Sequence, residues 1–158
     1  MLLRMMKYVT VSGLIATHTK KPFRGTIWID KKTGLITKVT RTFDPKADHT
    51  YSDAYVIFAG FSDIHIHARE DASREQVYKE DYETASAAAL NGGVVCACAM
   101  PNTPETVVTL GRFRWHRTRI KQIGHPVTML NYIGIDKHTR PIGKPGEHMY
   151  KLYFGKSV

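Results

Sequence analysis

At 158 residues the chain has the size of about one domain, and 42% hydrophobic with 23% charged residues is an ordinary composition for a globular protein. No apolar run approaches the roughly 20 residues that a membrane-spanning helix needs, and the start, Met1 to Lys7, lacks the long apolar core and cleavage site of a secretory signal. The formal charge of +9 keeps anionic partners in play, while Cys96 and Cys98, one residue apart, cannot staple a fold and point to a reducing, cytoplasmic setting.

Residues 1–58 read as a small β unit. Tyr8 to Val11 alternates as a strand does, and Ser12-Gly13 is expected to break it. Thr26 to Asp30 follows, then Lys31-Lys32-Thr33-Gly34 turns into Leu35 to Val39, a hairpin. Asp44 to Asp48 reads as a polar loop, and nothing in this segment suggests chemistry.

From residue 59 to residue 158 the rhythm becomes strand, helix, strand. A buried strand is expected over 55–66, straddling that boundary, with Ile64 and Ile66 packed into apolar surroundings. A helix with Tyr82, Ala85, Ala88 and Ala89 as its packed stripe follows, and Asn91-Gly92-Gly93 ends it. Val94 to Met100 reads as a second buried strand, Pro104 to Ile123 as a second helix, Pro126 to Ile133 as a third strand and Met149 to Phe154 as a fourth. The connection from Gly134 to His148 carries Pro141, Gly143, Pro145 and Gly146, so it is loop rather than helix. Apolar strands alternating with helices predict an α/β fold with a parallel sheet.

The densest basic segment, Arg112 to Lys121, raises nucleic-acid binding as a rival function. Val107, Leu110, Phe113, Ile120 and Ile123 recur there at helical spacing, which puts the arginines on a solvated face and argues against that rival. A positive field also suits a small anionic substrate.

The chemistry is concentrated at the expected strand ends. His65 and His67 alternate with isoleucines, so they share one face about 6.6 Å apart along the strand, and two imidazoles so placed can close on one divalent metal. Taken alone, His-x-His is read equally well as a hydrogen-bonded strand pair. Arg69 follows them, Asn102 follows the second strand, and Lys151 lies in the fourth among Tyr150, Leu152, Tyr153 and Phe154. An ammonium is costly to bury there, and a lysine made neutral by low dielectric can take up carbon dioxide as a carbamate whose two oxygens bridge two metals. A snorkelling edge lysine is the plainer alternative, and Lys156 is a second candidate for the carbamate.

Three segments together carry a resemblance: Phe61 to Glu70, Lys79 to Thr84, and Gly92-Gly93 followed by Met100-Pro101-Asn102-Thr103. They resemble the dihydroorotases, cyclic-amide hydrolases of the amidohydrolase superfamily, and Arg69 with Met-Pro-Asn-Thr favours them over hydantoinases and allantoinases. The resemblance implies the N-terminal half of a metal-dependent (β/α)8 barrel of the TIM type, preceded by part of a small β-sandwich domain. It implies His65 and His67 as ligands of a first zinc, carboxylated Lys151 as the bridge to a second, and Arg69 and Asn102 as the grip on a substrate carboxylate. The guanidinium fork matches a carboxylate in a bidentate way. The implied reaction is reversible hydrolysis of dihydroorotate to N-carbamoyl-aspartate in pyrimidine biosynthesis, with metal-bound hydroxide as nucleophile.

Two departures stand out. Asp71 occupies a position where the family usually has proline, and the loop between the third and fourth strands is short. A complete (β/α)8 barrel also takes about 250 residues, and the family's later-strand histidines and catalytic aspartate have no counterpart here, so no catalytic residue is assigned. The expectation is an incomplete N-terminal portion, inactive alone. Its expected partners are a C-terminal half or second chain, a further copy of itself, or a pyrimidine-pathway enzyme, with neither membrane nor nucleic acid among them. The alternatives are a non-catalytic half barrel serving in assembly, or another cyclic amidohydrolase of hydantoinase or allantoinase type.

Overall fold

The computed structural model describes residues 7–153, and the chain divides into two units between Ala59 and Gly60. In the first unit, β1 (Tyr8–Thr17), β2 (Lys20–Asp30) and β3 (Ile36–Thr40) form an antiparallel sheet. Two short strands, β4 (His49–Thr50) and β5 (Val56–Ile57), pair with β1 in parallel on its other side. The expected break at Ser12-Gly13 does not occur. Ser12 is buried, with its hydroxyl 2.6 Å from that of Thr26, so the polar residue is satisfied inside the sheet. A Cβ on Gly13 would sit 2.8 Å from Ile57 Cδ1, so this glycine permits close approach rather than a turn. The hairpin turn does form where expected: Asp30 accepts the N–H groups of Lys32 and Thr33, and Gly34 takes φ of 70°.

The expected strand over 55–66 is instead two strands in different units. Val56–Ile57 pairs with β1, and a new strand, β6 (Phe61–Ile66), begins after Gly60. In the second unit β6, β7 (Val94–Ala99) and β8 (Thr128–Asn131) form a parallel sheet in the order β6-β7-β8. The chain then changes neighbours at Tyr132. Its N–H still bonds Ala99 of the β7 side, whereas Ile133 N–H bonds Met149. The expected single third strand thus becomes β8 and β9 (Ile133–Ile135), with β9 parallel to β10 (Tyr150–Leu152). The long connection between β9 and β10 is turns, with Gly143 and Gly146 at φ of 84° and 81°.

Two helices cover this unit. Helix α1 (Tyr82–Asn91) starts at Asp81, whose side chain accepts Thr84 N–H while the Thr84 hydroxyl takes Asp81 N–H. Of its expected stripe, Tyr82 and Ala85 are buried and Ala89 packs partly, but Ala88 is exposed and Ser86 is buried instead. Helix α2 (Leu110–Ile123) begins six residues later than expected, because residues after Pro104 form turns and Thr109 supplies the cap by accepting Arg112 N–H. Gly124 ends it in the left-handed region at φ of 65°. Arg112, Arg114, Arg117 and Lys121 face solvent as expected, but Arg119 does not, and His116 is the buried residue of this helix.

The core packs Ala68, Tyr82, Ala85, Ala97, Ala99, Val127 and Met129, with Ile66 and Ile120 against them. Small residues on β7 let the helices approach the sheet closely. The expectation of a buried histidine strand is corrected here: among the described residues β6 is an edge strand, Phe61 is 56% and Ile64 69% exposed, and of the two isoleucines only Ile66 reaches the core. An edge strand has a ladder partner on one side only, so its side chains keep more contact with water.

Candidate functional site

The end of β6 brings two imidazoles together. The ring centroids of His65 and His67 lie 5.2 Å apart with the planes tilted by 59°, as strand alternation requires of residues i and i+2. Asp63 accepts the His65 N–H at 2.9 Å and steadies the backbone there. Both histidines are exposed.

Asn102, just beyond β7, joins the histidines to the candidate anion grip. Its Oδ1 lies 2.9 Å from His67 Nδ1, and its carbonyl accepts Arg69 Nη1 at 3.2 Å. An amide oxygen can only accept, so His67 carries its proton on Nδ1 and presents the Nε2 lone pair to a metal. Loss of part of the hydration around this exposed ring lowers the pKa of His67 below its ordinary value. The Asn102 bond opposes that shift, and the positive charges of Arg69, His65 and Lys151 add to it. The ring is therefore neutral near pH 7, as metal ligation demands. With Oδ1 committed, Asn102 Nδ2 is the donor left for a bound anion, alongside the remaining N–H groups of Arg69.

Lys151 stands on β10 opposite Gly134 of β9, and its charge is felt at His67. It is half-buried, its Nζ is 5.8 Å from the Tyr153 ring centre, and the adjacent Leu152 is 48% exposed. The apolar enclosure expected around this lysine is thus only partial, because β10 has a single ladder partner among the described residues. Phe154 and the alternative carbamate candidate Lys156 lie outside the described residues. His65, His67, Arg69 and Asn102 stand together, with Lys151 within electrostatic reach. The neutral His67 and its neighbour His65 fit two positions of a zinc shell. Among the described residues no group of three or more His, Cys, Asp and Glu side chains could hold a metal ion.

Sequence reasoning missed the buried polar groups behind this site. Glu70 has no exposed surface, and its carboxylate accepts Arg119 Nε at 2.7 Å, Arg74 Nη1 at 3.1 Å and Tyr82 N–H at 3.1 Å. Asp71 is buried beside it. Tyr82 links His116 to Asn131: Asn131 Nδ2 donates to the Tyr82 oxygen and that hydroxyl lies 2.6 Å from His116 Nδ1. Burial raises the Tyr82 pKa and lowers that of His116 to about 4, so both are neutral. A signal for His116 was present: it stands three residues after Phe113 and four before Ile120, on the apolar stripe of α2. No comparable signal marks Glu70.

The chain matches no protein-family model. Individual relatives are clear. It is 30% identical over 141 residues to the dihydroorotase of Bacillus pumilus, covering 88% of this chain and 31% of that one. It is 31% identical over 119 residues to the dihydroorotase of Bacillus subtilis, covering 74% and 26%. Among solved structures, the L-hydantoinase (dihydropyrimidinase) from Arthrobacter aurescens superposes with a TM-score of 0.60 at 21% identity, over 82% of this chain and 28% of that one, a likeness of fold. The chain is a relative of the dihydroorotases, matching between a quarter and a third of the length of those two bacterial enzymes.

Proposed function

We propose that this chain carries part of the active centre of a zinc-dependent cyclic amidohydrolase that opens dihydroorotate reversibly to N-carbamoyl-aspartate, a step of pyrimidine biosynthesis in the cytoplasm. One observation carries the reading: Asn102 ties a neutral, Nδ1-protonated His67 to Arg69 at the C-terminal ends of adjacent parallel strands. Enzymes built on such strands keep their chemistry at that end.

His67 Nε2 and His65 would hold one zinc ion, and carboxylated Lys151 would link it to a second. Zinc, when bound, supplies Lewis acidity to the ring amide and to the attacking water. The remaining work belongs to the chain. Arg69 and the free Nδ2 of Asn102 bind the substrate's carboxylate, which fixes the ring against the histidines. The Arg69 charge also helps to keep His67 unprotonated.

The fold proposed with this function is the first four β/α units of a (β/α)8 barrel after part of a small β-sandwich. It is supported by the parallel β6-β7-β8 ladder, by the β9–β10 pair and by the antiparallel sheet of the first unit. The described residues offer two histidines and one lysine as ligands, so a two-metal centre needs donors from further strands, on a longer form of this chain or on a second polypeptide. Ring opening of dihydroorotate, measured with excess zinc and bicarbonate, tests the proposal. The chain alone should be inactive, a polypeptide supplying the later strands should restore turnover, and His65→Ala with His67→Ala should abolish it. Turnover that survives loss of both histidines, or a preference for hydantoin over dihydroorotate, would overturn it. Binding of that polypeptide without turnover would favour a non-catalytic role in assembly.

A further inference from the structure

Proline is the residue that the family resemblance expects at position 71, yet the aspartate found there is 1% exposed and both of its carboxylate oxygens are engaged. Oδ1 serves its own loop. It accepts the Ser73 hydroxyl at 2.7 Å and the N–H groups of Ser73 and Arg74 at 3.0 and 3.3 Å, which closes the chain just past Arg69 into a tight turn. Oδ2 serves another loop, accepting Glu105 N–H at 2.7 Å. Burial raises the pKa of this carboxyl, but the bonds from Ser73, Glu105 and Arg74 together outweigh it and hold the group below the ordinary range. It is ionised at neutral pH, which strengthens every bond it accepts.

The two loops joined in this way are those that carry Arg69 and Asn102. On the first, Arg69 N–H bonds Glu80, and Arg74 sits at φ of 58°, the only non-glycine residue with positive φ among those described. A conformation of that kind persists only where neighbouring bonds enforce it. On the second, the Thr103 hydroxyl donates to the Glu105 carbonyl and Val107 N–H to that of Pro101. Asn102 therefore rides on a closed turn whose far end is fastened to Asp71.

We infer that Asp71 is a positioning residue that sets the separation of Arg69 and Asn102, and with it the preference of the site for a ring that bears a carboxylate. The inference rests on the function proposed above. Asp71 touches no substrate. It acts through the two residues that do.

The test is Asp71→Asn in the 158-residue chain loaded with zinc. The amide keeps an oxygen for the turn and places its NH2 against Glu105 N–H, so only the bond between loops is lost. Calorimetry compares dihydroorotate with dihydrouracil, the same ring without the carboxylate, and hydrogen exchange follows the Glu105 amide. Dihydroorotate affinity should fall about tenfold or more, since a binding group must be held to within about 0.5 Å. Dihydrouracil affinity and zinc binding should stay unchanged, and Glu105 exchange should accelerate. Equal weakening of both ligands, or an unchanged Glu105 amide, would overturn the inference. Should the unaltered chain bind neither ligand, the site needs its further strands before it takes a substrate. The inference is then decided by the Asn102 side-chain resonances, which must shift in Asp71→Asn if it holds. Asp71→Ser carries the same test if the asparagine variant does not fold, because its hydroxyl can serve the turn but is too short to reach Glu105.

Discussion

His67 and Asn102, 35 residues apart in sequence, face each other across β6 and β7 with Nδ1 and Oδ1 at 2.9 Å. That single bond selects the imidazole tautomer, and the tautomer determines which nitrogen is offered to a metal. The parallel ladder is what makes it possible. Ile66 pairs with Ala99, so the residues just beyond each strand emerge side by side.

Replacing Asn102 should therefore act on the metal through His67. In Asn102→Ala the ring loses the partner that fixes it, and zinc affinity should fall by about tenfold or more, the usual cost of losing an outer-shell bond. In Asn102→Asp the new carboxylate should raise the His67 pKa, which is depressed at present. Calorimetric zinc titrations and an NMR pH titration of the His67 ring measure the two effects. Unchanged zinc binding in Asn102→Ala would exclude His67 as a ligand.

Zinc binding should also depend on pH in a defined direction. A proton and a metal compete for His67 Nε2. Because the pKa of His67 lies below its ordinary value, acid should release the metal from this ring at a lower pH than from an unperturbed imidazole. His65→Ala should weaken zinc binding, and removing that neighbouring charge should let the His67 pKa rise. Competition with a zinc chelator across pH 5 to 7.5 reads this out, and a decline already complete at pH 6.5 would contradict it.

Much of this site was legible in the sequence because strand and turn chemistry is local. The alternation of histidines with isoleucines gave a shared face, and Asn91-Gly92-Gly93 gave the end of α1, though not the Asp81 cap at its start. What could not be read depends on distant partners. Tyr55 to Ala59 looks like the start of the histidine strand, but Val56 and Ile57 find a better ladder on β1, a choice made by residues some forty positions away. Ser12-Gly13 has the composition of a turn, yet Thr26 gives the serine a buried partner and Ile57 needs the space a side chain would fill. Glu70 has the composition of a surface residue, and its burial is made tolerable by Arg119, 49 residues on, together with Arg74 and Tyr82 N–H.

That burial should be costly to disturb. Glu70→Ala leaves Arg119 without its partner and Tyr82 N–H unbonded at the start of α1, and should cost roughly 3 kcal/mol, as for other broken buried ion pairs. Arg74→Ala should cost less than about 1 kcal/mol, since that side chain is 57% exposed and water replaces much of its interaction. Urea denaturation of both variants gives the comparison, and equal losses would mean that Arg119 is not the dominant partner.

The buried His116 makes stability fall with acid in a predictable window. Burial holds its folded-state pKa at about 4, whereas in the unfolded chain it returns to about 6.5. Between these values the unfolded state binds the proton and the folded state does not, so stability rises with pH across the interval and levels off above it. The full difference corresponds to roughly 3 kcal/mol, at about 1.4 kcal/mol for each unit. The physical cause is burial, which takes away the water that would solvate an imidazolium, while Asp71 and Glu70 oppose the shift only in part. His116→Gln keeps an acceptor for Tyr82 but cannot titrate. Urea unfolding free energies measured from pH 4 to 7.5 should therefore show a steep rise below pH 6.5 in the natural chain and a shallower one in His116→Gln. Parallel slopes in the two proteins would show that His116 is protonated equally in both states, and that burial does not hold it neutral.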